Sequence, residues 1–222
     1  TFECIWIVHI AGPGLRIEMC YPESWTQDLD LFLMGPGFEV PWHRTTTDSY
    51  SPAPEACSWA NCEATIRGVG YARVNWGYGT SDLSECNGGP QGPQWISLGY
   101  CANPRLDIDN NLSEGIGMPE NINVDRPADG DNFRIMVQNF SGGNSHPLVN
   151  IYCDGNRLAT YGASPDSVSG FMGTAGYFGL GAMWRVADVV VITDDLGEIG
   201  VVAGVGTENQ TQAGVLIGLH RR

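Results

Sequence analysis

The stretch NPRLDIDNNLSEGIGMPENINVD, residues 103–125, sets a strand-like alternation against a composition that strands avoid. Leu106 and Ile108, then Ile122 and Val124, recur at a spacing of two, as the buried face of a strand does. The same segment carries Asp107, Asp109, Glu114, Glu120 and Asp125 among five Asn, residues that strands disfavour. Mutual repulsion among such closely spaced carboxylates has to be offset by something.

Alternation extends outward from here. LRIEMCY (15–21) and DLDLFLM (28–34) read as strands, with Leu29, Leu31 and Leu33 on one face. FRIMVQNF (133–140) and LVNIYC (148–153) read as an antiparallel pair whose Ile135 and Val137 face inward. DGNR (154–157) has the chemistry of a hairpin turn into LATYG. MWRVADVVVI (183–192) turns at DDLG into EIGVVAGV. The region from Gly35 to about Asn103 is rich in loops, with YARVNWGYG as a short strand, and no segment has a helical period. The expected fold is all-β, an antiparallel β-sandwich with a long disulfide-stapled loop insertion. Residues 1–13 form a leading strand or the end of a preceding module, 14–192 the sandwich, and 193–222 a terminal hairpin and tail. The opening TFECIWIVHI has neither an initiator Met nor a signal-peptide pattern, as in a piece of something longer.

Composition narrows the function. With 42% hydrophobic residues in 222, the chain can build a sizeable core. Thirty Gly and 13 Pro without a period favour many short strands and turns. The formal net charge is −14, and every basic residue is Arg. A field of that sign repels phosphate backbones, so no nucleic-acid partner is expected, and it attracts cations. No apolar run is long enough to span a membrane as a helix.

The seven cysteines match no zinc-site spacing and read as disulfides in an oxidising compartment. Cys57 with Cys62, Cys86 with Cys101, and Cys4 with Cys20 are the expected pairs. Cys153 remains, either buried and reduced or paired with a segment outside this chain. Sequons stand at Asn111, Asn139 and Asn209.

Motifs for nucleophilic, metallohydrolase, phosphate-binding and dinucleotide chemistry are missing, so a catalytic role is not expected. DLDLFLMGPG, CSWANC, NPRLDIDN and PENINVDRPADGDNFRIMV stand in an order that resembles a known type of module. The resemblance, over roughly residues 14–192, is to the acidic β-sandwich repeats of large secreted and surface proteins of myxobacterial-type bacteria. Those are distantly similar to pre-peptidase C-terminal domains. It implies an extracellular binding or structural module without established catalytic residues. Phe32 stands where those modules often carry His, and Asn110 where they often carry a third Asp.

The acids themselves suggest a hard cation. Period two places Asp28 and Asp30 on one strand face, and Asp107 and Asp109 on one face of another. If the two segments meet, these four with Asn110 and Glu120 offer the oxygen donors that Ca²⁺ favours. The competing reading is that the acids cap strand ends through Asx turns. Trp42, Trp59, Trp76 and Trp95, with Tyr71, Tyr78 and Tyr100, are candidates for a glycan-stacking surface or for a minicore inside the long loop. A protein or glycan partner at the cell surface is expected, or self-assembly through edge strands into a filament or layer.

Overall fold

The computed structural model describes residues 14–21, 27–37, 54–110, 119–141, 144–162, 171–172, 183–193 and 199–204. Its strands, in chain order, are β1 (Gly14–Cys20), β2 (Asp28–Met34), β3 (Ala56–Cys57), β4 (Arg105–Ile108), β5 (Glu120–Asp125) and β6 (Asn132–Ser141). They continue with β7 (Asn144–Ser145), β8 (Leu148–Cys153), β9 (Asn156–Tyr161), β10 (Phe171–Met172), β11 (Met183–Thr193) and β12 (Ile199–Gly204). One sheet has the order β4-β5-β1-β8-β9 and the other β12-β11-β6-β2-β3, while β7 and β10 form a small separate pair. All described pairings are antiparallel.

The two five-stranded sheets share one core, and the alternating residues explain why. Leu15, Ile17 and Met19 of β1 lie beside Ile122 and Val124 of β5 and Val149 and Ile151 of β8. Against them pack Leu29, Leu31 and Leu33 of β2, and Phe133, Ile135 and Val137 of β6. Burial of this apolar set is the main favourable term for the sandwich.

β6 and β8 do not pair with each other, contrary to the expectation from their patterns. β6 lies between β2 and β11, and β8 between β1 and β9, in opposite sheets. Alternation marks a buried face and leaves the neighbour undetermined, and here the two apolar faces meet across the core. The β8–β9 hairpin does form, with Asp154 (φ 46°) and Gly155 (φ 79°) in the left-handed region. The backbone N–H of Gly14 donates to Asp154 Oδ1 at 2.7 Å, which ties this turn to the start of β1.

The insertion has its own small core. YARVNWGYG is not a strand, and an unforeseen seven-residue helix, α1 (Gly92–Leu98), lies within the insertion. Pro93 opens it and Gly99, at φ 79°, closes it in the left-handed conformation that Gly adopts without a steric penalty. It places Trp95 against the disulfide Cys86–Cys101, Ala64 and Ala102. The second expected bridge, Cys57–Cys62, also forms. Cys20 is disulfide-bonded, and its expected partner Cys4 lies outside the described residues. Cys153 is a buried thiol, and burial pushes its pKa up to about 12. The expected strand in residues 1–13 and the tail after 204 also fall outside the described residues.

The insertion docks on the edge of the first sheet. Leu106 N–H donates to Cys62 O at 2.9 Å, and Arg105 Nη2 donates to Glu85 O at 3.1 Å. Asn103 bonds both backbone groups of Asp125, at 2.6 and 2.9 Å, and Ser81 Oγ–H donates to the Asp125 carboxylate. No described helix is long and apolar enough to cross a membrane.

Candidate metal centre

Acidic side chains converge where the β2 edge of one sheet meets β4 and β5 of the other. β2 pairs with β6 on one side, and with β3 only at Leu33 and Met34 on the other. Its remaining edge would leave backbone N–H groups without partners, which is costly in a dry environment. Side chains from the opposite sheet supply the acceptors. Leu31 N–H donates to Glu120 Oε2 at 3.0 Å, and Leu29 N–H reaches the Tyr21 hydroxyl oxygen at 3.4 Å. The Tyr21 O–H in turn donates to the Asn110 carbonyl at 3.0 Å.

This closure brings the carboxylates together. One oxygen from each of Asp30, Asp109 and Glu120 lies within 4.8 Å of the other two. All three residues are buried: Asp30 is 4% exposed, Asp109 8% and Glu120 0%. Asp28 adjoins them, at a bulge in the β2–β6 ladder. Asp28 Oδ1, Asp30 Oδ2 and Glu120 Oε1 are buried oxygens with no hydrogen-bond partner among the described residues. Leaving such acceptors unmet is expensive.

The electrostatics follow from that burial. Loss of solvent pushes Asp28 up to about 6, with the Asp109 charge adding to the effect. Burial, then Asp28 and Asp109, hold Asp30 well above the usual carboxylate range. Glu120 is raised by burial, then by Asp109, Asp30 and Asp28. The Tyr21 phenol is raised too, by burial and then by Glu120. A divalent cation among these oxygens would reverse the balance, turning mutual repulsion into coordination by hard donors.

Of the six residues expected to bind the ion, Asp30, Asp109 and Glu120 meet here and Asp28 adjoins them, while the Asn110 carbonyl accepts from Tyr21. Asp107 does not join them. A register shift between Leu106 and Ile108 breaks the two-residue period of β4, so Asp107 and Asp109 no longer share a face. Asp107 bonds Arg105 Nε at 3.2 Å and accepts from Asn123 Nδ2 instead. Two participants escaped the sequence reading. Tyr21 continues the odd-numbered inward row of β1, so its position was available from alternation. Arg67, which contacts Asp109, lies 42 residues away in the insertion and carried no local signal.

The aromatic candidates are largely structural. Trp95 is 0% exposed, with the Arg73 guanidinium 5.2 Å from the ring centroid, which corrects its assignment to a ligand surface. Trp76 packs on Phe133 with centroids 5.6 Å apart, and its indole N–H donates to Glu55 O at 2.8 Å. Trp59 and Tyr78 are partly buried against the main core. Trp42 lies outside the described residues, as do the sequons at Asn111 and Asn209, and Asn139 is 0% exposed within β6. Comparison with family models, curated proteins and solved structures finds no match.

Proposed function

We propose that the chain is a non-catalytic, extracellular or cell-surface β-sandwich module stabilised by Ca²⁺, serving adhesion, ligand binding or spacing. The observation that carries this is the group of buried carboxylates between the sheets, with oxygens on Asp28, Asp30 and Glu120 that no donor among the described residues satisfies. Carboxylate and carbonyl oxygens suit Ca²⁺, which tolerates irregular shells of about six to eight donors near 2.4 Å, whereas Mg²⁺ demands a strict octahedron. The disulfides Cys57–Cys62 and Cys86–Cys101 favour an oxidising compartment. The charge of −14 favours cation capture over any polyanionic partner.

The test is thermal unfolding with and without calcium. Ca²⁺ at one hundred times its Kd should add about 2.7 kcal/mol by mass action on the folded state, and EDTA should remove it. Identical melting curves in EDTA and in millimolar calcium, with no metal by elemental analysis, would refute the reading.

A further inference from the structure

The cluster has a cation of its own. Arg67, on the insertion, places Nε 2.6 Å from Glu63 Oε2 and Nη1 3.2 Å from Asp109 Oδ2. Glu63 is held in place, because its other oxygen accepts from Gln91 Nε2 while Gln91 Oε1 accepts from the Ala64 N–H at 2.6 Å. Gln91 is also the N-cap residue of α1. The guanidinium is therefore anchored on one carboxylate of the insertion and directed at one of the cluster. Side-chain exposure falls from 44% at Arg67 to 8% at Asp109, so the guanidinium stands on the solvent side of the carboxylates.

We infer that Arg67 is the resident counter-cation of this site and sets its affinity, weakening Ca²⁺ binding while supporting the metal-free fold. This rests on the acidic cluster being a cation site. A divalent ion held by Asp30, Asp109 and Glu120 shares the Asp109 carboxylate with Arg67, and the two positive charges repel across a few ångströms. Without the ion, the same guanidinium offsets part of the carboxylate repulsion. A plain tether role is different, since it would need the guanidinium fork equally in both states.

Calcium titration calorimetry on the full chain, after EDTA treatment and desalting, separates these. Arg67→Gln should bind Ca²⁺ about tenfold more tightly than wild type, a moderate factor because Arg67 is partly solvated. Arg67→Lys keeps the charge and should stay within about threefold of wild type. Arg157→Gln removes an equal charge from an exposed position on β9 and should leave the affinity unchanged. Wild-type binding with no tightening in Arg67→Gln, or equal tightening in Arg157→Gln, overturns the role of Arg67 alone. Failure of both wild type and Arg67→Gln to bind overturns the site reading and this inference with it. Binding by Arg67→Gln but not wild type supports it, because the guanidinium then fills the site. An Arg67→Gln chain that folds only when calcium is added supports it too. One still unfolded at saturating calcium, where Arg67→Lys folds and binds, overturns it.

Discussion

Glu120, the first residue of β5 in one sheet, accepts a hydrogen bond at 3.0 Å from the backbone N–H of Leu31 on β2 in the other. A single carboxylate thus closes a sheet edge with one oxygen and leaves the other buried with no hydrogen-bond partner among the described residues. Edge closure and cation binding are separable by chemistry at this position. Glu120→Gln keeps an acceptor for Leu31 and removes the charge. In EDTA, the variant should be more stable than wild type by about 1 kcal/mol, because one like charge is gone. In calcium it should lose most of the increment in melting temperature. A variant that is less stable than wild type in EDTA would show that the charge is not a burden there.

The pH dependence of the metal-free chain follows from the same group. Asp28 is raised to about 6 in the fold, and Asp30 and Glu120 are raised in the same direction. The folded state therefore holds more protons than the unfolded state between about pH 4 and pH 6. Asp28 stabilises the fold fully below about pH 4, and that contribution is lost as pH rises through about 6, while Asp30 and Glu120 act in the same sense. Asp188 works in the opposite sense, because Arg134 and Arg185 hold its pKa low. Calcium keeps the cluster ionised, so the melting temperature in calcium minus that in EDTA should widen from pH 4 to pH 7. A difference that is flat or narrows over that range would contradict the assignment.

Arg105 joins the insertion to the sheet from a position only 2% exposed, bonding Asp107, Asp125 and the Glu85 carbonyl. Arg105→Met would strand two carboxylates in a largely buried place, at a cost of about 3–5 kcal/mol. Urea unfolding should show a lower midpoint. A loss below about 1 kcal/mol would mean that solvent reaches those acids.

Cys86–Cys101 spans fifteen residues and backs the Trp95 minicore. Replacing both cysteines with Ser should cost about 3 kcal/mol in the chain-entropy model. The loosening should appear first in the insertion, as a red shift of tryptophan emission before the global transition. Coincident transitions would show that the insertion has no separate stability.

Much of the fold was legible because each sheet buries one face. DLDLFLM and LVNIYC form strands with the bounds that alternation assigns. Which strands lie side by side was not legible, since β6 and β8 have the same pattern yet belong to different sheets. The bulge that turns Asp107 away is a backbone event with no residue signature in RLDID. α1 is too short to display a period, and Trp95 is the only large side chain it buries. The site was legible in its acids and opaque in Arg67, because a 42-residue separation is bridged only once the insertion folds.

The Cys57–Cys62 bridge has a mechanical meaning. Cys57 lies on β3, paired with Leu33 of one sheet, while the Cys62 carbonyl accepts the Leu106 N–H of the other. The acidic cluster lies along this same margin, at β2, β4 and β5. At the opposite margin, β9 and β12 end their sheets with no disulfide among the described residues. The sandwich is therefore bound like a book, with a spine along β3 and β4 made of this disulfide and the Leu106–Cys62 hydrogen bond. A load that prises the sheets apart opens it from the β9 and β12 side, and the hinge that survives longest holds the carboxylates.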